Sequence, residues 1–272
     1  MADKHRRRRP QDDFEPPDDP EGIAWDDTVD VVCVGVGVTA TAAAVAAVKL
    51  GLTVLRAAPA STDDEAAAEY LRQVTDDIPP AEPDGPAGAL PVRLVDGPSR
   101  VRPEFPVGTV TFVGASLRDW AGQCLPARGG VLSTTVVDPR LTVHYTGADE
   151  HVEAVSVGVV DLRSDPGTVA EWAAERARDE DVPRVPVENL AHLVFDDGRV
   201  AGVAVTKAAG DSELELVRAR YSVILALRDD AELSWPQRLD AESAELAFVT
   251  RAASRFGRLE LLVRNPGGRS PR

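Results

Sequence analysis

Residues Gly35-Val36-Gly37-Val38-Thr39-Ala40 follow the apolar run Val31–Val34 and carry the spacing Gly-x-Gly-x-x-Ala. That spacing suits a phosphate cradle between a strand and a helix. Gly35 permits a tight turn out of the strand, and Gly37 lets backbone approach a pyrophosphate with no Cβ in the way. Ala40 allows the helix to pack closely on the strand. The amides of Val38 and Thr39 would then face an anion at the positive end of the helix. The chemistry implied is dinucleotide binding. The same glycines are also what a tight strand-to-helix turn needs on steric grounds, ligand or none, and the motif does not separate the two.

The remaining reactive side chains form no second constellation. The histidines are His5, His144, His151 and His192, and none has a Ser, Cys or carboxylate at a spacing that implies a triad. Tyr70, Tyr145 and Tyr221 are the only tyrosines, and Tyr70 reads as the core residue of a helix. Cys33 lies within the first apolar run and Cys124 stands alone, with no Cys-x-x-Cys and no metal spacing. No catalytic residue is assigned and no metal site is expected. Isolated cysteines and the lack of an apolar leader behind the Arg6–Arg9 run point to a reducing, cytoplasmic setting.

The elements that must position the cradle are legible as a β-α-β unit. Val31–Val34 reads as a central parallel strand covered on both faces. Val38–Leu50 is Ala-rich and helical, and Gly51 caps it. Leu52–Leu55 is the next strand, and the crossover should be right-handed. Asp63–Val74 reads as an amphipathic helix. After it come a loop and the short β-like runs Gly108–Val113, Val131–Val137, Leu141–Tyr145 and Val152–Val160. Gly167–Asp179 is helical. Leu193–Phe195 and Val200–Val205 flank Asp197-Gly198, a hairpin turn. Leu214–Val217 completes a meander, and Val223–Leu227 is a further apolar strand. Glu242–Arg255 reads as a helix and Leu259–Val263 as a last strand.

With 272 residues the chain is long enough for one large domain or two small ones. Its net charge of −15 sets it against nucleic acid and anionic lipid, so neither is expected as a partner. Val31–Val48 is uncharged and just long enough for a membrane span, but Gly35 and Gly37 break it where a turn belongs. Residues 1–28, a basic block followed by an acidic, Pro-rich one, read as a solvated tail.

Three segments in one chain order resemble the FAD-binding part of the flavoprotein oxidoreductases that include fumarate reductase and 3-ketosteroid Δ1-dehydrogenase. They are VDVVCVGVGVTATAAAVAAVKLGLTVL, DEAAAEYLRQVTDD and HLVFDDGRVAGVAV, the last followed by ARYSVILA. The chain looks like a divergent, shortened member, with little room for the family's substrate-capping domain. The resemblance implies an α/β, Rossmann-like FAD/NAD(P)-binding domain from 29–60 and 186–264. A loop-rich α+β region, 61–185, is inserted, and 265–272 forms a flexible end. It also implies FAD as cofactor, held by Gly35, Gly37, Val38, Thr39 and Ala40, with adenine near the backbone of Leu190.

Departures from the family pattern fall on the other contacts. Its ribose-binding acid falls on Ala58, within Arg56-Ala57-Ala58, and a charged hydrogen bond worth about 1.5–3 kcal/mol is lost there. Its glycine- and serine-rich stretch beside the flavin is missing. Its late Ala-Thr-Gly-Gly strand end reads Ala226-Leu227-Arg228-Asp229-Asp230, which puts Arg228 and Asp229 where glycines let backbone approach the ligand. Phe248–Gly268 is similar to a segment of short-chain dehydrogenases, without their Asn-Asn-Ala or Tyr-x-x-x-Lys residues. Three functions are thus open. The first is a degenerate, non-catalytic module that binds a dinucleotide weakly or a protein partner. The second is a working FAD-dependent oxidoreductase with an altered site. The third is an NAD(P)-binding dehydrogenase-like protein, for which Arg56 could meet a 2′-phosphate.

Overall fold

The computed structural model describes residues 22–265 except 59–64, 82–87, 100–112, 147–150, 165, 184–187, 207–213, 229, 231–232, 238 and 240. Its strands are β1 (Asp27–Val34), β2 (Val54–Ala58), β3 (Val92–Val95), β4 (Pro98–Ser99), β5 (Gly130–Ser133) and β6 (Val143–Thr146). They continue with β7 (His151–Asp161), β8 (Glu188–Asp196), β9 (Arg199–Thr206), β10 (Leu214–Ala226), β11 (Ser243–Thr250) and β12 (Phe256–Arg264). The helices are α1 (Val38–Lys49), α2 (Glu65–Thr75), α3 (Val113–Cys124) and α4 (Val169–Asp179). Among the described residues all twelve strands belong to one mixed sheet, so the architecture is α/β but dominated by sheet.

The β-α-β unit lies at one end of this sheet. β1 pairs in parallel with β2 on one edge and with β10 on the other. β8 continues from β2, β9 from β8 and β10 from β9, so five strands close on themselves. Val32, Val34, Leu193, Val203, Val205, Val217 and Val223 fill the space they enclose. On the opposite face, α1 and Trp172 of α4 cover Val31, Cys33 and strands β7, β11 and β12. Alanines make up most of the buried side of α1, which lets two helices and a sheet approach closely.

The hairpin turn is as its residues require: Asp197 and Gly198 both have positive φ, 44° and 73°, the geometry of a tight two-residue turn. Gly51, at φ 82°, ends α1.

Several expectations need correction. The segment expected as a helix over Glu242–Arg255 is strand β11 and the turn into β12, and these two strands pair antiparallel from Glu245–Leu262 to Thr250–Gly257. Ala244 and the run Leu246–Thr250 are buried, so neighbours cover both faces of the strand, and that burial overrides the helical preference of Ala, Glu and Leu. Gly257 therefore sits inside β12 instead of turning a helix into a strand. The two strands expected at Leu214–Val217 and Val223–Leu227 are one. β10 runs 13 residues because β9 pairs with its first half and β5 with its last three residues, while β1 follows most of its other edge. α3 occupies part of the stretch expected to be β-rich. Of the strand expected over Gly108–Val113, residues 108–112 lie outside the described residues, and Val113 opens α3. β1 begins at Asp27, inside the stretch expected as tail, and residues 1–21 lie outside the description. β2 extends to Ala58, which makes Arg56 and Ala58 strand residues.

Candidate functional site: the turn between β1 and α1

The Gly-x-Gly turn is held by packing on three sides. The Gly35 amide donates to the Ala57 carbonyl at 2.8 Å. Its φ is 147°, and a Cβ there would press on the methyl groups of Ala40 and Ala226 at 2.9 and 3.0 Å. Gly35 and Ala40 are thus small because the turn, the helix and the end of β10 converge on them. Val36, at the tip, is 69% exposed. Val38, Thr39 and Ala40 are buried in the first turn of α1.

Gly37 is the N-cap of α1 and has no side chain to accept from the helix's first amides. The acceptor comes from far along the chain. Asp230 Oδ2 takes the Thr39 amide proton at 2.5 Å, across 191 positions in sequence. Both residues are buried, Thr39 fully and Asp230 to within 4%. A Cβ on Gly37 would collide with the same carboxylate. So Gly37 does admit an anion to the helix N-terminus, and that anion is the protein's own. A carboxylate at a helix N-terminus stabilises the helix by roughly 0.3–2 kcal/mol.

Asp230 is placed by the segment after β10. The Leu227 amide donates to the Gly130 carbonyl at 3.0 Å, and the Leu233 amide to Asp230's own carbonyl at 2.9 Å. Further on, Trp235 meets Trp172 edge to face at 6.1 Å and donates its indole N–H to Gly167 O at 2.9 Å. From the other side, the Thr39 hydroxyl donates to the Arg128 carbonyl at 3.4 Å, so the loop between α3 and β5 also borders the turn.

Ala58 closes β2 beside Asn189, and Leu190 comes next, so the positions matched to ribose and adenine are adjacent. Ala58 offers a methyl group there. Leu190 pairs with Val205 in the β8–β9 ladder and buries its side chain in the enclosed core. Arg56 folds back on α1, where its Nη2 donates to the Thr41 hydroxyl at 3.0 Å. It is turned in on the unit rather than held out for a 2′-phosphate, with its buried Nε left without a partner. Arg228 does not fill the cradle as expected: it is exposed and donates through Nε to the Leu125 carbonyl at 3.0 Å. Asp229 lies outside the described residues. The blocking group is the next residue along. No local pattern marks Asp230 for this role, because its contact with Thr39 joins residues 191 positions apart.

A pyrophosphate does not fit these residues. It would need the Thr39 amide that Asp230 holds, and it would bring negative charge against a buried carboxylate. Among the described residues, nothing else at the turn could do redox or acid–base work. The Cys33 thiol is pushed up to about 12 by burial, offset only in part by Arg56, so it stays protonated and inert. His144 faces Glu153 at 3.7 Å in the β6–β7 ladder, and His192 lies on β8. The Tyr145 hydroxyl donates to Glu245 at 2.6 Å, and burial and that carboxylate raise its pKa. Among the described residues no three His, Cys, Asp or Glu side chains are grouped to hold a metal, and no helix is long and apolar enough to cross a membrane.

No family model matches the chain, and no curated protein does. Among solved structures it is similar to 3-ketosteroid-delta4-(5alpha)-dehydrogenase from Rhodococcus jostii RHA1, at 17% identity and a TM-score of 0.32, over 75% of this chain and 47% of that one. The chain thus spans about half the length of that enzyme. It is also similar to thioredoxin reductase of T. acidophilum, at 13% identity and a TM-score of 0.17, over 91% and 92%. Superpositions this loose say nothing of activity or ligand.

Proposed function

We propose that the chain is a non-catalytic relative of the FAD-dependent oxidoreductases, kept as a binding or interaction module. The observation that carries this reading is Asp230 on the Thr39 amide, which satisfies the helix N-terminus a cofactor phosphate would otherwise bind. The missing carboxylate at Ala58 and the inward turn of Arg56 support it. A flavin would lose several contacts of about 1–3 kcal/mol each, which moves a tight site to millimolar affinity or weaker.

The test is a visible spectrum and a melting curve. The purified protein is expected to be colourless, and FAD, NAD or NADP at about 1 mM leaves its Tm unchanged, since a ligand shifts stability only once its concentration nears Kd. Yellow protein that releases flavin on denaturation would overturn the proposal in favour of a working flavoprotein. A Tm raised by NAD or NADP alone would favour the dehydrogenase-like alternative.

A further inference from the structure

A cavity of about 550 Å³ opens on the α1 face of the sheet, at the opposite end of that helix from the glycine turn. Its walls are Ala43, Ala46 and Ala47 of α1 and Val131, Ile224 and Phe248 of the sheet. Thr39 and Leu50, at the two ends, are about 16 Å apart along the helix axis, so the two places are physically separate. We propose that this cavity binds an amphipathic monocarboxylate of the fatty-acid type, with the hydrocarbon chain inside and the carboxylate at Arg220.

The volume lies in the range of small-molecule sites, roughly 300–1,000 Å³. It is far larger than the gaps a close-packed interior leaves, and α1 lines it with alanine methyls where a Leu would fill the space. Water is a poor occupant because it needs two to four polar partners. The lining hydroxyls are already engaged: Ser133 and Ser222 bond each other at 2.7 Å, Thr135 donates to the Tyr221 carbonyl at 2.8 Å and Thr250 to the Phe256 carbonyl at 3.0 Å. Val136, on the strap bordering the mouth, is 48% exposed, so the apolar surface runs out to solvent.

Charge at the mouth fixes the head group. Arg220, Arg140 and Arg255 line the cavity, in a chain whose net charge is −15, and Arg255 donates to the Tyr70 hydroxyl at 3.1 Å. Arg220 is 40% exposed, and its ion pair to buried Asp30 runs through one nitrogen at 3.3 Å. A planar guanidinium held on one side can still take a carboxylate on another. Asp138 pairs with Arg140 at 2.6 Å and offsets part of the positive charge, so the mouth suits one carboxylate better than a phosphate dianion. The cavity's occupancy does not depend on the closed glycine turn.

Calorimetric titration of the full chain with decanoate, below its micelle concentration, tests it. Saturable one-site binding is expected for the wild type. Ala46→Leu, which adds bulk at the cavity wall, weakens decanoate and decan-1-ol alike by at least about tenfold, and its melting temperature is read alongside to separate filling from unfolding. Arg220→Gln weakens decanoate by about tenfold and leaves decan-1-ol unchanged. Val136→Glu, at a half-exposed position of the lining, also weakens decanoate selectively. Asp230→Ala changes none of these affinities, so failure here is distinct from failure at the glycine turn. Absence of saturable decanoate binding up to about 1 mM, or binding that all the cavity and mouth variants leave intact, overturns the proposal. Equal loss of acid and alcohol in Arg220→Gln overturns the assignment of the head group.

Discussion

Asp230 converts a ligand site into a structural contact with one hydrogen bond. A helix N-terminus presents unsatisfied amides, and either a bound anion or a capping side chain can satisfy them. Because Gly37 supplies no cap, the Asp230 carboxylate is the group that does so here. Asp230→Ala should lower stability by about 1–2 kcal/mol, the typical cost of a lost cap. Gly37→Ala should cost about 1–3 kcal/mol, because its Cβ enters the carboxylate's space. In the double variant that collision is gone, so its cost should be less than the sum of the two single costs in denaturant unfolding. Strict additivity would mean that Gly37 and Asp230 do not meet. Gly37 is at φ −97°, so no backbone strain confuses the comparison.

Among the elements, those with one partner type were legible and those with several were not. α1 and the Asp197-Gly198 hairpin follow from local residues alone: an alanine run, a capping glycine and a two-residue turn. β10 reads as two strands in sequence because Arg218, Arg220 and Tyr221 interrupt its apolar run, and its continuity is imposed by β1 along one edge. β11 reads as a helix because Ala, Glu and Leu favour one, whereas pairing to β7 and β12 decides the outcome. The glycine turn was legible for the same local reason as α1. Asp230 was not, since its role depends on bringing residues 191 apart into contact. Gly202 gives the meander a test of its own. A Cβ there would run into the Val217 carbonyl and the Trp25 ring, so Gly202→Ala should destabilise by about 1–3 kcal/mol, read as a lowered unfolding midpoint. An unchanged midpoint would contradict the close β9–β10 approach.

The molecule as a whole is acidic, yet its sheet centres on a buried ion cluster. Glu260 is 1% exposed and accepts from Arg93 at 2.6 Å and from Arg258 at 2.7 Å, while the Arg258 guanidinium lies 5.2 Å from the Trp120 ring. Burial alone would raise the Glu260 pKa, but the two arginines outweigh it and hold the carboxyl below its usual range. A depressed folded pKa stabilises the protein above the unfolded value of about 4.3, and that contribution is lost as pH falls through the folded pKa. Melting temperature should therefore drop steeply in acid. Glu260→Gln should cost about 3–5 kcal/mol near neutrality and flatten that acid dependence. A variant as acid-sensitive as the wild type would place the titrating group elsewhere. For the protein's function, the deciding contact is still the one at the start of α1. The Thr39 amide resonance in a nitrogen–proton correlation spectrum reports it directly. A hydrogen bond to a carboxylate should hold that proton downfield. Addition of FAD to about 1 mM should leave it in place, and Asp230→Ala should move it upfield. A Thr39 resonance displaced by submillimolar FAD in the wild-type protein would contradict the account.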